Sequence, residues 1–209
     1  MSSGVVSGTI RERIMTRKGE RIRETSETQI RVGVDLDGDG TSSISTTIPF
    51  FDHMLNLMAK HGFFTLEIEA RGDTEVDFHH TVEDTGISLG EALKAALGDR
   101  AGIRRYGQAT VPMDEALATV SIDLCSRPYL VYNVEAAAGG EGAFTIDMGE
   151  QFFRALVSSM AATVHLNLHY GANQHHILEA VFKAFGRALS DAVSPDPRLK
   201  GVLSTKGTL

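Results

Sequence analysis

Polar and apolar residues roughly alternate along ERIRETSETQIRVGVDL (residues 20–36), the period-two pattern of a half-buried strand. LDGDGTSSI then supplies a Gly/Asp turn and a returning strand. In FFDHMLNLMAKHG the apolar positions Phe51, Leu55 and Met58 fall at helical spacing, with Gly62 read as the terminator. FTLEIEARGD alternates again, and a helix runs from HHTVE through SLGEALKAALG. The second half repeats the order: two strands in ALATVSIDLCSRPYLVYNVE, a helix in GEQFFRALVSSMAATV, a strand in HLNLHYG, and a helix in HHILEAVFKAFGRALSDAV stopped by SPDP. The pattern predicts a duplicated α+β fold, each half reading strand, strand, helix, strand, helix, with hairpin-connected sheets covered by helices on one face. The repeats span about residues 10–105 and 106–199. No Pro/Ser-rich tether separates them, so 1–209 reads as a single domain with a C-terminal STKG tail.

Composition narrows the function classes. A formal net charge of −7 with no basic stripe argues against a nucleic-acid partner but leaves room for a local anion pocket. No apolar run approaches membrane-spanning length, and the N-terminus lacks the compact apolar core and cleavage site of a secretory signal; a cytoplasmic protein is expected. The single cysteine, Cys125, gives no disulfide framework and reads as a buried strand residue.

The chemistry-bearing signal is a repetition. HHTVE (79–83) and HHILE (175–179) place two histidines and a glutamate at identical spacing in both halves. On a helix, positions three and four apart share a face, so Glu83 reaches toward His79 and His80, and Glu179 toward His175 and His176. Adjacent histidines project about 100° apart, so each pair is expected to serve different ions. Imidazole and carboxylate are ordinary ligands for divalent transition metals, and two such turns predict two metal sites sharing ligands from both halves. One HH pair alone reads as a solvated or capping pair; the repetition in register favours metal. His53, on the helix before the first pair, joins the set, whereas its counterpart in the second half is Gln151. His165 and His169, on one face of a strand, read as structural.

FFDHML, DFHHTVEDTGISLGEAL, HHILEAVFKAFGRAL and the terminal STKG together resemble the imidazoleglycerol-phosphate dehydratase family, over a match from Arg23 to the C-terminus. The resemblance implies a fold like the ribosomal S5 second-domain modules and a homo-oligomer of 24 subunits with metal sites at subunit contacts. It implies metal-dependent dehydration of D-erythro-imidazole-glycerol phosphate to imidazole acetol phosphate in L-histidine biosynthesis. Two Mn²⁺ ions per active site are then held by His53, His79, His80, Glu83, His175, His176 and Glu179. One family ligand position, often histidine, falls on Gln151, whose amide oxygen is a poorer donor than imidazole.

The same resemblance places Glu27 against the substrate, as the acid/base group of choice, with Glu83 and Glu179 able to double as bases. His53 and His61, eight residues apart, are expected to border the substrate. Arg105, Arg127 and Lys206, helped by Ser204 and Thr205, match phosphate-contacting positions, with Lys183 a further candidate; Arg104 is expected to face elsewhere. Arginine suits phosphate because its planar fork makes two parallel charge-assisted bonds. The paired ligands by themselves also permit a dinuclear metallohydrolase or a metal-storage oligomer; a phosphate pocket separates the dehydratase from storage.

Overall fold

The computed structural model describes residues 17–135 and 144–209. The N-terminal segment, including residues 10–16 expected in the first repeat, lies outside the described residues. Two four-stranded sheets enclose a layer of four helices. The first half contains β1 (Lys18–Glu24), β2 (Thr28–Asp35), β3 (Ser42–Ser45), α1 (Pro49–Gly62), β4 (Thr65–Gly72) and α2 (His79–Leu97). The second contains β5 (Tyr106–Met113), β6 (Ala116–Asp123), β7 (Tyr129–Asn133), α3 (Ile146–Met160), β8 (Thr163–Tyr170) and α4 (Gln174–Val193). The sheets have the same order, β1-β2-β4-β3 and β5-β6-β8-β7, with one parallel pair at the end of each.

The duplicated α+β fold is therefore present, with one strand more per half than the pattern suggested. The stretch 20–36 is a hairpin rather than one strand: β1 and β2 pair antiparallel, and Thr25–Glu27 turn between them. Its turn carries no Gly or Pro, the usual punctuation, because side-chain bonds replace it: Thr25 Oγ1 accepts from the amides of Glu27 and Thr28. The equivalent β5 likewise has no clear strand pattern, since YGQATVPM pairs to β6 through residues with little apolar contrast.

Inward-facing residues of the central strands, such as Ile30, Val32 and Val34 on β2 and Ala118, Val120 and Ile122 on β6, are buried under the helices. The halves join through the helix layer, α1 on α4 and α2 on α3. Six fully buried phenylalanines fill it, Phe51 stacking on Phe144 at 4.7 Å and Phe152 on Phe182 at 5.5 Å. Gly62 does not end α1 by taking a left-handed conformation; that cap is Phe63, at φ 60°. Gly62 is small because α4 crosses there: a Cβ would lie 2.9 Å from the Gly186 carbonyl. Cys125 is buried, but in the bend after β6 rather than in a strand.

Candidate metal centre and anion groove

α1 and α4 run side by side in the same direction, His53 opposite Glu179 and Gly62 opposite Gly186. Pro49 opens α1, and its buried face (Phe51, Met54, Leu55, Met58) turns His53 outward at the exposed end. Asn173 caps α4 by accepting from the amides of His175 and His176, so the second histidine pair sits on the first turn. Helical spacing then brings His175 over Glu179.

The result is a compact ligand set. His53 Nε2 and His175 Nε2 lie 3.0 and 2.9 Å from the same oxygen, Glu179 Oε1. Among the described residues these three form the group whose ligating atoms all lie within 4.8 Å of one another. The other carboxylate oxygen, Oε2, accepts from Lys183 Nζ at 2.6 Å. Burial pushes the Glu179 pKa up, but bonds from Lys183, His53 and His175 outweigh it and hold the group down at about 2. Two imidazole nitrogens and one ionised oxygen converging from two halves fit a divalent transition metal. With both rings donating Nε2–H to one oxygen, metal binding through Nε2 requires those protons to move to Nδ1 or to leave.

The first pair is arranged differently. His79 Nε2 is 3.6 Å from Glu83 Oε2, and His80 Nδ1 is held by Asp73 at 3.0 Å, with Glu27 Oε2 at 3.8 Å. The Asp73 carboxylate raises the His80 pKa. α3 packs along α2 as α4 packs along α1. Counting back ten residues from the left-handed caps of α1 and α3, Phe63 and Ala161, reaches His53 and Gln151. Gln151 is thus the counterpart of His53 in the repeat, so a triad in the first pair built like His53, His175 and Glu179 would lack one imidazole. Gln151→His is expected to restore it, tightening Mn²⁺ binding about tenfold in equilibrium dialysis of the metal-free protein; an unchanged affinity would place residue 151 outside the coordination sphere.

His176 turns away from Glu179, its ring at 80° to that of His175, and its Nδ1 meets Glu115 Oε2 at 2.6 Å. That contact, with backbone amides, holds the Glu115 carboxyl down at about 2. His61 lies two turns beyond His53, half-buried beside Lys183 and Arg187, outside the triad; burial and these cations lower its pKa. His165 and His169 lie on the exposed outer face of the second sheet, His169 bonded to Thr119 at 2.7 Å.

The anion-binding candidates gather elsewhere. Arg105, Arg127, Ser204, Thr205 and Lys206 line an open groove of about 1020 Å³. Arg127 and Lys206 are exposed there. Arg105 is buried and already engaged: it forks onto Asp123 at 2.7 and 3.1 Å and donates to the Leu203 carbonyl at 2.6 Å, tying the C-terminal tail to β6. Arg104 pairs with Asp191 instead. The Arg105 amide bonds to Ala192, in the last turn of α4. At 1.5 Å per residue, that turn lies ~20 Å along the helix from Glu179. Within one chain the groove and the triad stand at opposite ends of α4.

Asp73, Glu115 and Asp123 join these sites through the fold. Asp73 and Asp123 carry no motif. Glu115 does have a signal: it lies 88 positions after Glu27, in the same register of the repeat.

A model of the imidazoleglycerol-phosphate dehydratase family matches residues 46–189, a span that contains both HHxxE turns and His53. The chain belongs to that family. It is a hydro-lyase. The imidazoleglycerol-phosphate dehydratase of Geobacter metallireducens is 54% identical over 195 residues, covering 93% of this chain and all of the relative. That of Syntrophus aciditrophicus is 56% identical over 188 residues, 90% and 95% of the two chains. Among solved structures, the dehydratase from Staphylococcus aureus superposes with a TM-score of 0.77 at 38% identity, covering 86% of this chain and 99% of that one. The Pyrococcus furiosus structure, in complex with (S)-C348, gives 0.76 at 36% identity, covering 90% and 100%. Among the described residues no helix is long and apolar enough to cross a membrane.

Proposed function

We propose that this chain dehydrates D-erythro-imidazole-glycerol phosphate to imidazole acetol phosphate in L-histidine biosynthesis, in the cytoplasm, with two Mn²⁺ ions per active site. The observation that carries the metal reading is the convergence of His53, His175 and Glu179, with Lys183 fixing the spare carboxylate oxygen. His79 and Glu83 would hold the other ion, and His80 and His176 complete the ligands. Bound there, Mn²⁺ supplies Lewis-acid stabilisation of charge developing on the substrate's imidazole ring.

The chain's own groups divide the remaining work. Glu179 has both oxygens committed and a depressed pKa, which suits a ligand better than a base. Glu27 is exposed in the β1–β2 turn beside His80, which supports its carboxylate as the group that would move a proton on the glycerol chain. Arg127, Lys206, Ser204 and Thr205 would grip the phosphate in the groove. Arg105 contributes chiefly by holding the Leu203 carbonyl and so the tail that forms the groove wall.

The ~20 Å between groove and triad exceeds the reach of one small substrate. It supports a homo-oligomer, 24 subunits by the family resemblance, in which the groove of one copy faces the triad of another. The test is a steady-state assay on imidazole-glycerol phosphate after metal stripping and Mn²⁺ re-addition. Acetol phosphate formation should vanish and return; turnover that ignores metal removal would overturn the reading.

A further inference from the structure

The two histidines of each HH pair present opposite nitrogens. His79 and His175 turn Nε2 inward, toward the glutamate four residues on, whereas His80 and His176 offer Nδ1 to a carboxylate from another element. In the second half that carboxylate is Glu115, in the β5–β6 turn. Its Oε1 accepts from the amides of Ala172 and Asn173 at 3.2 and 2.8 Å, which anchors it to the start of α4. Only Oε2 remains, and it lies 2.6 Å from His176 Nδ1. An ionised carboxylate accepts and cannot donate, so the neutral His176 ring must carry its proton on Nδ1 and leave Nε2 as a lone pair, on the side where Asp114 Oδ2 stands off at 3.8 Å.

The internal repeat gives this arrangement a second meaning. Glu115 immediately precedes β6 as Glu27 immediately precedes β2, so the two glutamates are counterparts. β4 and β8 are equivalent eight-residue strands, and the residue after each is Asp73 in one half and Gly171 in the other. Where Asp73 exists, it holds the histidine at 3.0 Å and Glu27 stands off at 3.8 Å. Where glycine replaces it, the hairpin glutamate does the holding itself.

We infer that Glu115 is a positioning residue that sets the Nδ1–H form of His176 and aims its Nε2 at metal, and that Asp73, by doing this for His80, frees Glu27 for the substrate. The inference rests on the metal-dependent reading above. Carboxylate-held histidines of this kind raise ligand basicity, and losing the partner weakens metal binding without touching a ligand.

Glu115→Gln discriminates. The amide oxygen can still accept from Ala172 and Asn173, but the –NH₂ then faces Nδ1 and forces the ring proton onto Nε2, blocking the ligand atom. Expected are an unchanged melting temperature, a Mn²⁺ dissociation constant raised about 10- to 100-fold, and a tautomer change at His176 in nitrogen-15 spectra of histidine-labelled, metal-free protein. In the first half, Asp73→Asn should shift His80 in the same way and Glu27→Gln should not. Unchanged Mn²⁺ affinity in Glu115→Gln overturns the inference, as does an Nε2-protonated His176 in the wild type, which needs no variant. A His80 change in Glu27→Gln but not in Asp73→Asn overturns the division of labour. Wild-type protein that binds no Mn²⁺ sinks the metal reading instead, and the tautomer spectra still decide the role of Glu115.

Discussion

Glu179→Gln will lose tight metal binding and turnover together. The ionised carboxylate is the one anionic member of the triad, and its Oε1 is where both imidazole Nε2 atoms meet. An amide oxygen of similar shape has no formal charge, so the Mn²⁺ dissociation constant should rise at least ~100-fold by dialysis. Losing several kcal/mol of charge stabilisation predicts a fall of roughly 10³-fold in kcat/KM. The same change strips Lys183, 14% exposed, of its counterion. Breaking a half-dry pair in this way should cost about 2 kcal/mol, read as a melting point lower by about 4–8 °C.

Acid should narrow that gap. The Glu179 pKa is held at about 2, below its usual 4.5. A depressed carboxylate adds stability that is complete above the unfolded value and lost as pH falls through the folded one. In metal-free protein the stability difference between wild type and Glu179→Gln should therefore shrink between pH 4.5 and 2. A difference constant across that window would mean the carboxylate's charge contributes nothing to the fold.

Gly107→Ala is expected to damage the fold itself. β5 lies so close under α4 that a Cβ at Gly107 would sit 2.0 Å from the Ala188 carbonyl and 2.7 Å from the Ala192 amide. Gly19, 88 positions earlier, meets the Ala92 carbonyl of α2 at 1.9 Å in the same way. Neither obstacle is a flexible side-chain end, so helix or strand must shift. Overpacking of this kind costs about 3 kcal/mol or more, a melting point lower by roughly 10 °C. Because α4 carries His175, Glu179 and Lys183, weaker Mn²⁺ binding should accompany it. Gly201→Ala, with nothing within 4 Å, is the control and should leave the melting point unchanged. Equal melting points for Gly107→Ala and Gly201→Ala would refute the close-packing account.

The site was legible from sequence where its members are local. HHTVE and HHILE declare themselves because helical spacing fixes which side chains share a face, and that is independent of the rest of the fold. His53 and the vacancy of imidazole at Gln151 followed from the repeat. The β1–β2 hairpin escaped because Thr25 makes with its hydroxyl a turn that glycine or proline usually marks. Arg105 invited a phosphate reading because a guanidinium in sequence does not reveal its partner; the fold spends its fork on Asp123 and the Leu203 carbonyl.

Sequence by itself determined the duplicated order of helices, the spacing of the metal-ligand candidates and the asymmetry between His53 and Gln151, all set by short-range periodicity and repetition. Only tertiary structure decided which half completes which triad, that Lys183 neutralises Glu179, that Asp73 and Glu115 hold the second histidine of each pair, and that groove and triad lie at opposite ends of α4. The contacts that close the site across the repeat are long-range, Glu115 with His176 across 61 positions and His53 with Glu179 across 126, and they orient the shorter-range pairs Lys183–Glu179 and Asp73–His80. Chain periodicity carries no record of such pairings; they are fixed when the helix faces of the two halves close on each other.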